Sequence, residues 1–354
     1  MSSSFNDMTF TPADFARIAK IDKVSFNDLE AAGAIQTHRK RMGRADRKVI
    51  ALEDLQAYFR VVRKIAGEGA EAAGPQAPVE AFKSVFENDD AAVAAATGFI
   101  PPTPHYRTQM FYNVKGGTGK STLTAQYVMR AAMLGYRVLA IDLDGQGHLT
   151  VNLDVLDGHE RPTVYDVLIN DLPIQEAIMN VAPGLDLIPS NLGLCNIDLP
   201  LNQKPRREYR LSEAIEQVYD QYDLIVADAN PTTSILNCSM MVASELVNIV
   251  CATNPLSFHG MSLVVSTIEE LQQEFRVDIE TRVIPNMYDA REVISQEVLG
   301  ELRAQFGDTC TQVVINRSAD LNEATKRRQS VWSVNSKGTG ADDIGALTEE
   351  LLRV

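Results

Sequence analysis

The chain reads as an α/β protein: a mostly parallel, twisted sheet with helices on both faces, preceded by a small, mainly helical domain. Three observations point there. From about residue 108 onward, short apolar runs alternate with helical patterns, the rhythm of a parallel sheet covered on both sides. The first of these runs, Met110-Phe111-Tyr112-Asn113-Val114, passes into Lys115-Gly116-Gly117-Thr118-Gly119-Lys120-Ser121-Thr122 and then a helical pattern. That is the strand–loop–helix layout of a phosphate-binding loop, or P-loop. Before it, residues 1–64 hold two short helical patterns and a cluster of cations.

Each element follows in chain order. Thr11 caps a helix opened by Pro12, with Phe15, Ile18 and Ala19 at apolar spacing. A turn at 21–24 leads to a second helix at 25–32, with Phe26 and Leu29 inward and Gly33 ending it. This is helix-turn-helix spacing. Residues 38–48 then carry six Lys/Arg (Arg39, Lys40, Arg41, Arg44, Arg47 and Lys48) against one acid, before an apolar pattern returns at 49–55. Residues 65–105 are rich in Ala, Gly, Glu and Pro and read as a linker, with room for a short helix at 79–87. The expected domains are therefore 1–64, a linker at 65–105, and 106–354. Strands are expected near 108–114, 137–142, 184–188, 223–228, 246–253, 279–285 and 312–316. Helices are expected near 120–134, 163–170, 207–221, 260–274, 291–306 and 341–353, and no internal repeat is evident.

Composition bounds the function. With 354 residues, 45% of them hydrophobic, the chain has apolar material for one large core and a second small domain. Net charge is −14, yet residues 1–64 carry 12 Lys+Arg against 8 Asp+Glu, leaving 21 against 39 in the remainder. A basic head on an acidic body suits contact with a polyanion. The alternative for that head is a dimerisation domain with a solvated basic loop. The four cysteines lack C-x-x-C spacing, as expected of reduced cytosolic thiols. No apolar run approaches the roughly 20 residues that span a bilayer. The polar N-terminus lacks the layout of a signal peptide, so a cytoplasmic protein is expected.

The loop carries the chemistry. Gly116, Gly117, Thr118 and Gly119 present backbone N–H groups at a helix start, where the helix dipole favours an anion, and Lys120 adds a full positive charge. Ser121 is placed to offer its hydroxyl to Mg2+, with Thr122 beside it. The common pattern G-x-x-x-x-G-K-[ST] is broken, because its first glycine falls on Val114 and a second lysine, Lys115, follows. Two later apolar runs end in acids: 137–142 leads to Asp142 and Asp144, and 223–228 ends at Asp228. In open α/β sheets ligands bind beyond the carboxyl ends of strands, so these acids belong beside the phosphates.

The K-G-G-x-G-K-[ST] variant resembles the deviant Walker A motif of the ParA/MinD family of ATPases. The likeness runs over about 107–354. It implies ATP and Mg2+ as cofactors and an ATP-dependent sandwich homodimer in which Lys115 reaches the partner's phosphates. Asp142-Leu143-Asp144-Gly145-Gln146-Gly147 resembles the family's D-x-D-P-Q-G segment, with Gly145 for the usual proline and His148 for a common asparagine. By that resemblance Asp144 positions the attacking water and Asp142 organises Mg2+. Asp228 matches the Walker B acid, but Asp228-Ala229-Asn230-Pro231 departs from D-x-P-P at Asn230. Asn286, in Pro285-Asn286-Met287-Tyr288-Asp289, corresponds to an adenine-reading residue on the MinD side; an Asx turn is its other reading. The head resembles the winged helix-turn-helix heads of longer plasmid-type members, the basic stretch forming the wing. Lys326, Arg327 and Arg328, with Arg303 and Arg317, fall near the family's DNA-facing surface; a solvated helix end is the alternative.

The function implied is an ATP-dependent DNA partition ATPase. Its dimer binds DNA nonspecifically on the nucleoid, a ParB-like centromere-binding partner stimulates slow hydrolysis, and the head represses its own operon. Three alternatives stay open: positioning of another cargo such as chemoreceptor clusters, an ATP-gated transcriptional repressor, and an iron–sulfur reductase, which the cysteine spacing disfavours. A membrane switch like MinD needs a basic amphipathic tail. Residues 341–352 are acidic, so no membrane partner is expected.

Overall fold

A computed structural model of the chain describes residues 5–42, 45–65 and 99–354. Its centre is a seven-stranded sheet in the order β10-β9-β4-β8-β5-β7-β6. The strands are β4 (Thr108–Tyr112), β5 (Val138–Asp142), β6 (Met179–Ala182), β7 (Leu185–Ile188), β8 (Leu224–Asp228), β9 (Leu246–Ala252) and β10 (Glu280–Asn286). All neighbours are parallel except β6 and β7. Every residue of β4, β5, β8 and β9 is buried, which is why these strands read as unbroken apolar runs in the sequence.

Strand periodicity divides the core in two. Phe111, Val138, Ala140, Leu224 and Val226 belong to one hydrophobic cluster, and Met110, Tyr112, Leu139, Ile141, Ile225 and Ala227 to the other. Successive side chains on a strand face opposite ways, so each strand feeds both layers. The second layer takes the helices Met261–Phe275 and Val293–Phe306. The first takes the helix after the phosphate loop (Lys120–Met133) and the last helix (Thr339–Arg353).

That first layer also takes the head. Three short strands, β1 (Thr9–Phe10), β2 (His38–Met42) and β3 (Ala45–Ala51), pair in the order β1-β3-β2. Around them lie α1 (Pro12–Ala19), α2 (Lys23–Ala31) and α3 (Leu52–Ile65). The helix after the phosphate loop is α4 (Lys120–Met133). Thr11 and Asp14 form a reciprocal cap on α1, satisfying N–H groups the helix itself leaves open. α2 begins at Lys23 rather than 25, because Asp22 accepts the Ser25 N–H at 2.7 Å and sets the cap two residues earlier. Phe15 stacks edge-on against Phe26 and Tyr58 at 5.5 and 5.0 Å. These rings share one cluster with Tyr127, Met129 and Met133 of α4.

Of the expected linker, 66–98 lie outside the described residues, including the possible helix at 79–87. Where the described chain resumes, Phe99 is buried against Phe59, with ring centroids 6.4 Å apart. Its N–H donates to the Ala19 carbonyl at 2.9 Å.

One expected strand is absent: 312–316 lies beside β10, the Ile315 N–H donating to the Pro285 carbonyl at 2.9 Å, and the bridges nearby, Val283 with Cys310 and Tyr288 with Asn316, are isolated. The amides of Thr311 and Ile315 reach β10, but that of Val313 between them is taken by the last helix. Glu350 accepts the Gln312 and Val313 N–H groups at 2.7 and 2.9 Å, and Asp343 accepts that of Asn316 at 2.9 Å. Among the elements whose pattern was too weak to be expected are the four-residue edge strand β6 and the helices Ile235–Ala243 and Ala319–Arg327.

Candidate active site

Between β4 and α4 the chain turns through seven residues, with Gly117 at φ 74° and Gly119 at φ 89°. Both lie in the left-handed region that favours glycine. At Gly119 space is also closed, since a Cβ there would lie 2.4 Å from the Asn286 amide nitrogen. Buried Asn113 anchors the start of the loop, accepting the Lys115 N–H at 3.0 Å and donating to the Val250 carbonyl at 2.8 Å. Lys120 is buried, its ammonium 3.2 Å from the Lys115 carbonyl. Burial holds its pKa below the usual lysine range, while Asp228 and Asp144 pull it back up.

The acids converge on the same place. Asp142 and Asp228 are direct partners in the β5–β8 register, both fully buried. Asp142 accepts the Thr150 N–H and hydroxyl at 2.8 and 2.6 Å and the Asp144 N–H at 3.1 Å. Asp228 accepts the Thr124 hydroxyl at 3.2 Å through Oδ1, and its buried Oδ2 has no hydrogen-bond partner among the described residues. Burial raises both carboxyls, Asp142 to about 6 and Asp228 to about 8, the neighbouring acid adding to the rise. A buried acceptor left unpaired beside a second carboxylate is costly unless a cation's shell completes it. The residues therefore fit Mg2+: Asp228 and Asp142 facing its hydration shell, with the Ser121 hydroxyl acting on Asp228 as well.

Lys120 and Asp144 open on one cleft of about 580 Å3, lined also by the loop glycines, Ser121, Thr122 and the exit of β8 at 230–232; Asp142 and Asp228 are buried and do not line it. Asp144 is half-buried and accepts the Gln146 N–H at 2.9 Å. Lys115 is half-buried at the loop's start and forms no ion pair among the described residues. Thr118 is buried, its hydroxyl unpartnered. A smaller cavity of about 200 Å3 adjoins, lined by Gly119, Thr122, Asn286, Met287 and Ser318. There the Asn286 amide donates to the Thr118 carbonyl at 2.7 Å and its Oδ1 accepts the Met287 N–H at 2.8 Å. Asn286 thus braces the phosphate loop from β10. Its Oδ1 meets the next residue's N–H, not that two residues on, so this is not an Asx turn.

Comparison with known proteins now bears on identity. An AAA domain family model matches residues 106–281. The chain is 32% identical over 280 residues to the cell division protein PomZ of Myxococcus xanthus, covering 78% of this chain and 88% of that protein. It is 31% identical over 244 residues to the chromosome partitioning protein ParA of Caulobacter vibrioides, covering 68% and 91%. The chain belongs to the ParA/MinD family and is a ParA-type ATPase. ATP and Mg2+ are its cofactors. Cobyrinic acid a,c-diamide synthase from Mycobacterium smegmatis, solved with an ATP analogue and magnesium, matches at TM-score 0.62 and 26% identity, over 70% of this chain and 94% of that one.

The basic positions of this ParA-type chain fall in two places. Arg39, Lys40, Arg41, Arg47 and Lys48 lie exposed on the antiparallel β2–β3 hairpin; Arg44 lies outside the described residues. Arg39 pairs with Lys48 across the hairpin, and Lys40 with Arg47. Lys48 is answered by Glu30 at 2.7 Å, and the others have no ion pair among the described residues. Lys326, Arg327 and Arg328 end the helix Ala319–Arg327. Each has an acid nearby: Glu323 at 3.9 and 2.7 Å, and Asp154 at 3.8 Å. Arg317 lies 3.6 Å from Glu292, and Arg303 is exposed on Val293–Phe306. Sequence reasoning missed Asn113, Thr124, Thr150 and Ser190, because an isolated Asn, Ser or Thr carries no motif.

Among the described residues no helix is long and apolar enough to cross a membrane. The acids of the last helix, Asp342, Asp343, Glu349 and Glu350, are all engaged within the chain.

Proposed function

We propose that this chain is a DNA-segregation ATPase whose nucleotide state gates a homodimer on DNA. The observation that carries this reading is the twin-lysine loop facing Asp144, in a chain that also bears a hairpin whose cations, Lys48 apart, form no ion pair among the described residues. Lys115 contacts the phosphates of the partner's nucleotide, and Lys120 leaves the Lys115 carbonyl for the phosphates of its own. In a cleft walled by buried strands, Lys120 acts at low effective dielectric, where such electrostatics count for more than in water. Asp144 orients the attacking water. Magnesium, when bound, offsets charge on the phosphates. Asn286 keeps one hand on the loop and reads the adenine edge.

Residues 1–64 act as a winged helix-turn-helix, with 106–354 as the ATPase domain. Like charges placed opposite each other on a two-stranded hairpin are unfavourable, an arrangement that a polyanion relieves. Arg39, Lys40, Arg41, Arg44, Arg47 and Lys48 hold DNA phosphates. Lys326, Arg327 and Arg328 form a weaker, partly neutralised contact. A ParB-like centromere-binding partner stimulates hydrolysis, the ATP-bound dimer is nucleoid-associated, and the head represses its own operon. A second reading, positioning of another cargo, is favoured by the long alignment with PomZ.

The test is ATP turnover by the purified chain with and without DNA and the product of a neighbouring small DNA-binding gene. Lys120→Ala and Asp144→Ala are expected to lower turnover by at least about 10²-fold, as losses of transition-state electrostatics do. Unchanged turnover in either variant would overturn the mechanism.

A further inference from the structure

The Asp144 turn is held from two sides by residues to which the motifs assign no role. On one side stands Asn230. Its Oδ1 accepts the Thr232 N–H at 3.1 Å, the Thr232 hydroxyl at 2.5 Å and the Asn237 amide at 2.8 Å. Those three donors fix the plane of the amide and direct its Nδ2 at the Leu143 carbonyl, 3.4 Å away and one residue before Asp144. On the other side, the Ser190 hydroxyl donates to the Asp144 carbonyl at 2.5 Å. Cys195 lies directly on Gly145: a Cβ built there would fall 2.4 Å from its Sγ and 2.9 Å from its backbone nitrogen. The sulfur takes the space that any side chain at 145 would need. Asn230, Cys195, Gly145 and Asp144 all line the cleft that holds Lys120.

We propose that Asn230 and Cys195 are positioning residues for hydrolysis, clamping the Asp144 turn between the exit of β8 and the segment 190–195. The proposal rests on the reading of Asp144 as the residue that orients water. Among the described residues the Asp144 carboxylate accepts a hydrogen bond only from the Gln146 N–H within its own turn, so its place in the cleft depends on what presses on the turn from outside as well as on the Asp142 anchor of its own N–H. A shift of about 1 Å in a reacting group costs up to about 10²-fold in rate.

The full-length chain tests this by steady-state ATP hydrolysis and by binding of a fluorescent ATP analogue. Asn230→Ala and Cys195→Ala are expected to lower kcat by roughly tenfold each with KM unchanged, a partial misplacement on the scale above. Asn230→Asp keeps the acceptor for Thr232 and Asn237 but loses the donor to Leu143, and it is expected to match Asn230→Ala. Asn237→Ala removes one of the three donors that orient the Asn230 amide but leaves its Nδ2 in place, and it is expected to lower kcat less than Asn230→Ala does. The clamp is overturned if the Asn230 and Cys195 variants hydrolyse ATP within twofold of the parent, if KM alone rises, or if Asn237→Ala loses as much kcat as Asn230→Ala. Asp144→Ala separates the two ideas. If it is inactive while the clamp variants are normal, only the clamp fails; if it is active, the reading of Asp144 fails and the clamp with it.

Discussion

Asp142 and Asp228 sit side by side at the ends of β5 and β8, each carboxyl held above its ordinary range by burial and by the other acid. A cation must displace the protons they hold, so affinity depends on pH. Together the pair holds its protons to higher pH than free carboxylates do, so raising the pH towards 8 ionises it. Magnesium-dependent nucleotide binding is therefore expected to strengthen from pH 6 to 8, by up to about tenfold per unit while one proton is displaced. Binding titrations at pH 6, 7 and 8 with magnesium varied would check this, and a flat profile would count against these carboxyls facing the metal. That the two acids meet was legible only in part. Each strand announced its own terminal acid, but the register that puts 142 opposite 228 is a pairing of residues far apart in the chain.

At the scale of elements, the β2–β3 hairpin is the feature whose local sequence and observed shape agree best with a single purpose. Removing Arg39 or Arg41 is expected to weaken DNA binding similarly on unrelated sequences, because phosphate contacts carry little sequence information. Each lost contact should flatten the plot of log affinity against log salt by about 0.9. Filter binding or fluorescence anisotropy across a salt series measures both effects. A loss confined to one DNA sequence would mean that the hairpin reads bases. The tail shows the opposite relation between pattern and role. In sequence its acids spoke only against a membrane partner. Yet Asp342 pairs with Arg17 at 2.5 Å, Glu349 with Lys20 at 2.7 Å, and Asp343 and Glu350 cap the backbone at 312–316. An element whose charges bind its neighbours is a strap, and one of these acids, Glu350, takes the Val313 amide that would otherwise face β10.

For the whole molecule, the head and the ATPase body share one hydrophobic layer. Phe15, Tyr58 and Phe59 belong to the cluster that includes Tyr127, Met129 and Met133, while Gln56 and Arg63 donate to the Pro183 and Gly135 carbonyls at 2.7 and 3.2 Å. α4 therefore runs from the phosphate site at Lys120 to the underside of the head. Phe59→Ala is expected to cost about 3–5 kcal/mol, as for other buried aromatics cut to alanine. It should do so in a single thermal transition seen equally by head and body probes. Two separated transitions in calorimetry would show that the head folds as an independent unit.

Sequence alone determined what depends on near neighbours. Strand periodicity, the glycines of the loop, the lysines that flank them and the terminal acids were all readable, because each is a matter of a few consecutive residues. Tertiary structure decided what depends on distant ones. Ser190 reaches Asp144 across 46 positions, Asn230 reaches Leu143 across 87, and Arg17 reaches Asp342 across 325. No local pattern marks such pairs, since their chemistry exists only once the sheet has brought the strand ends together.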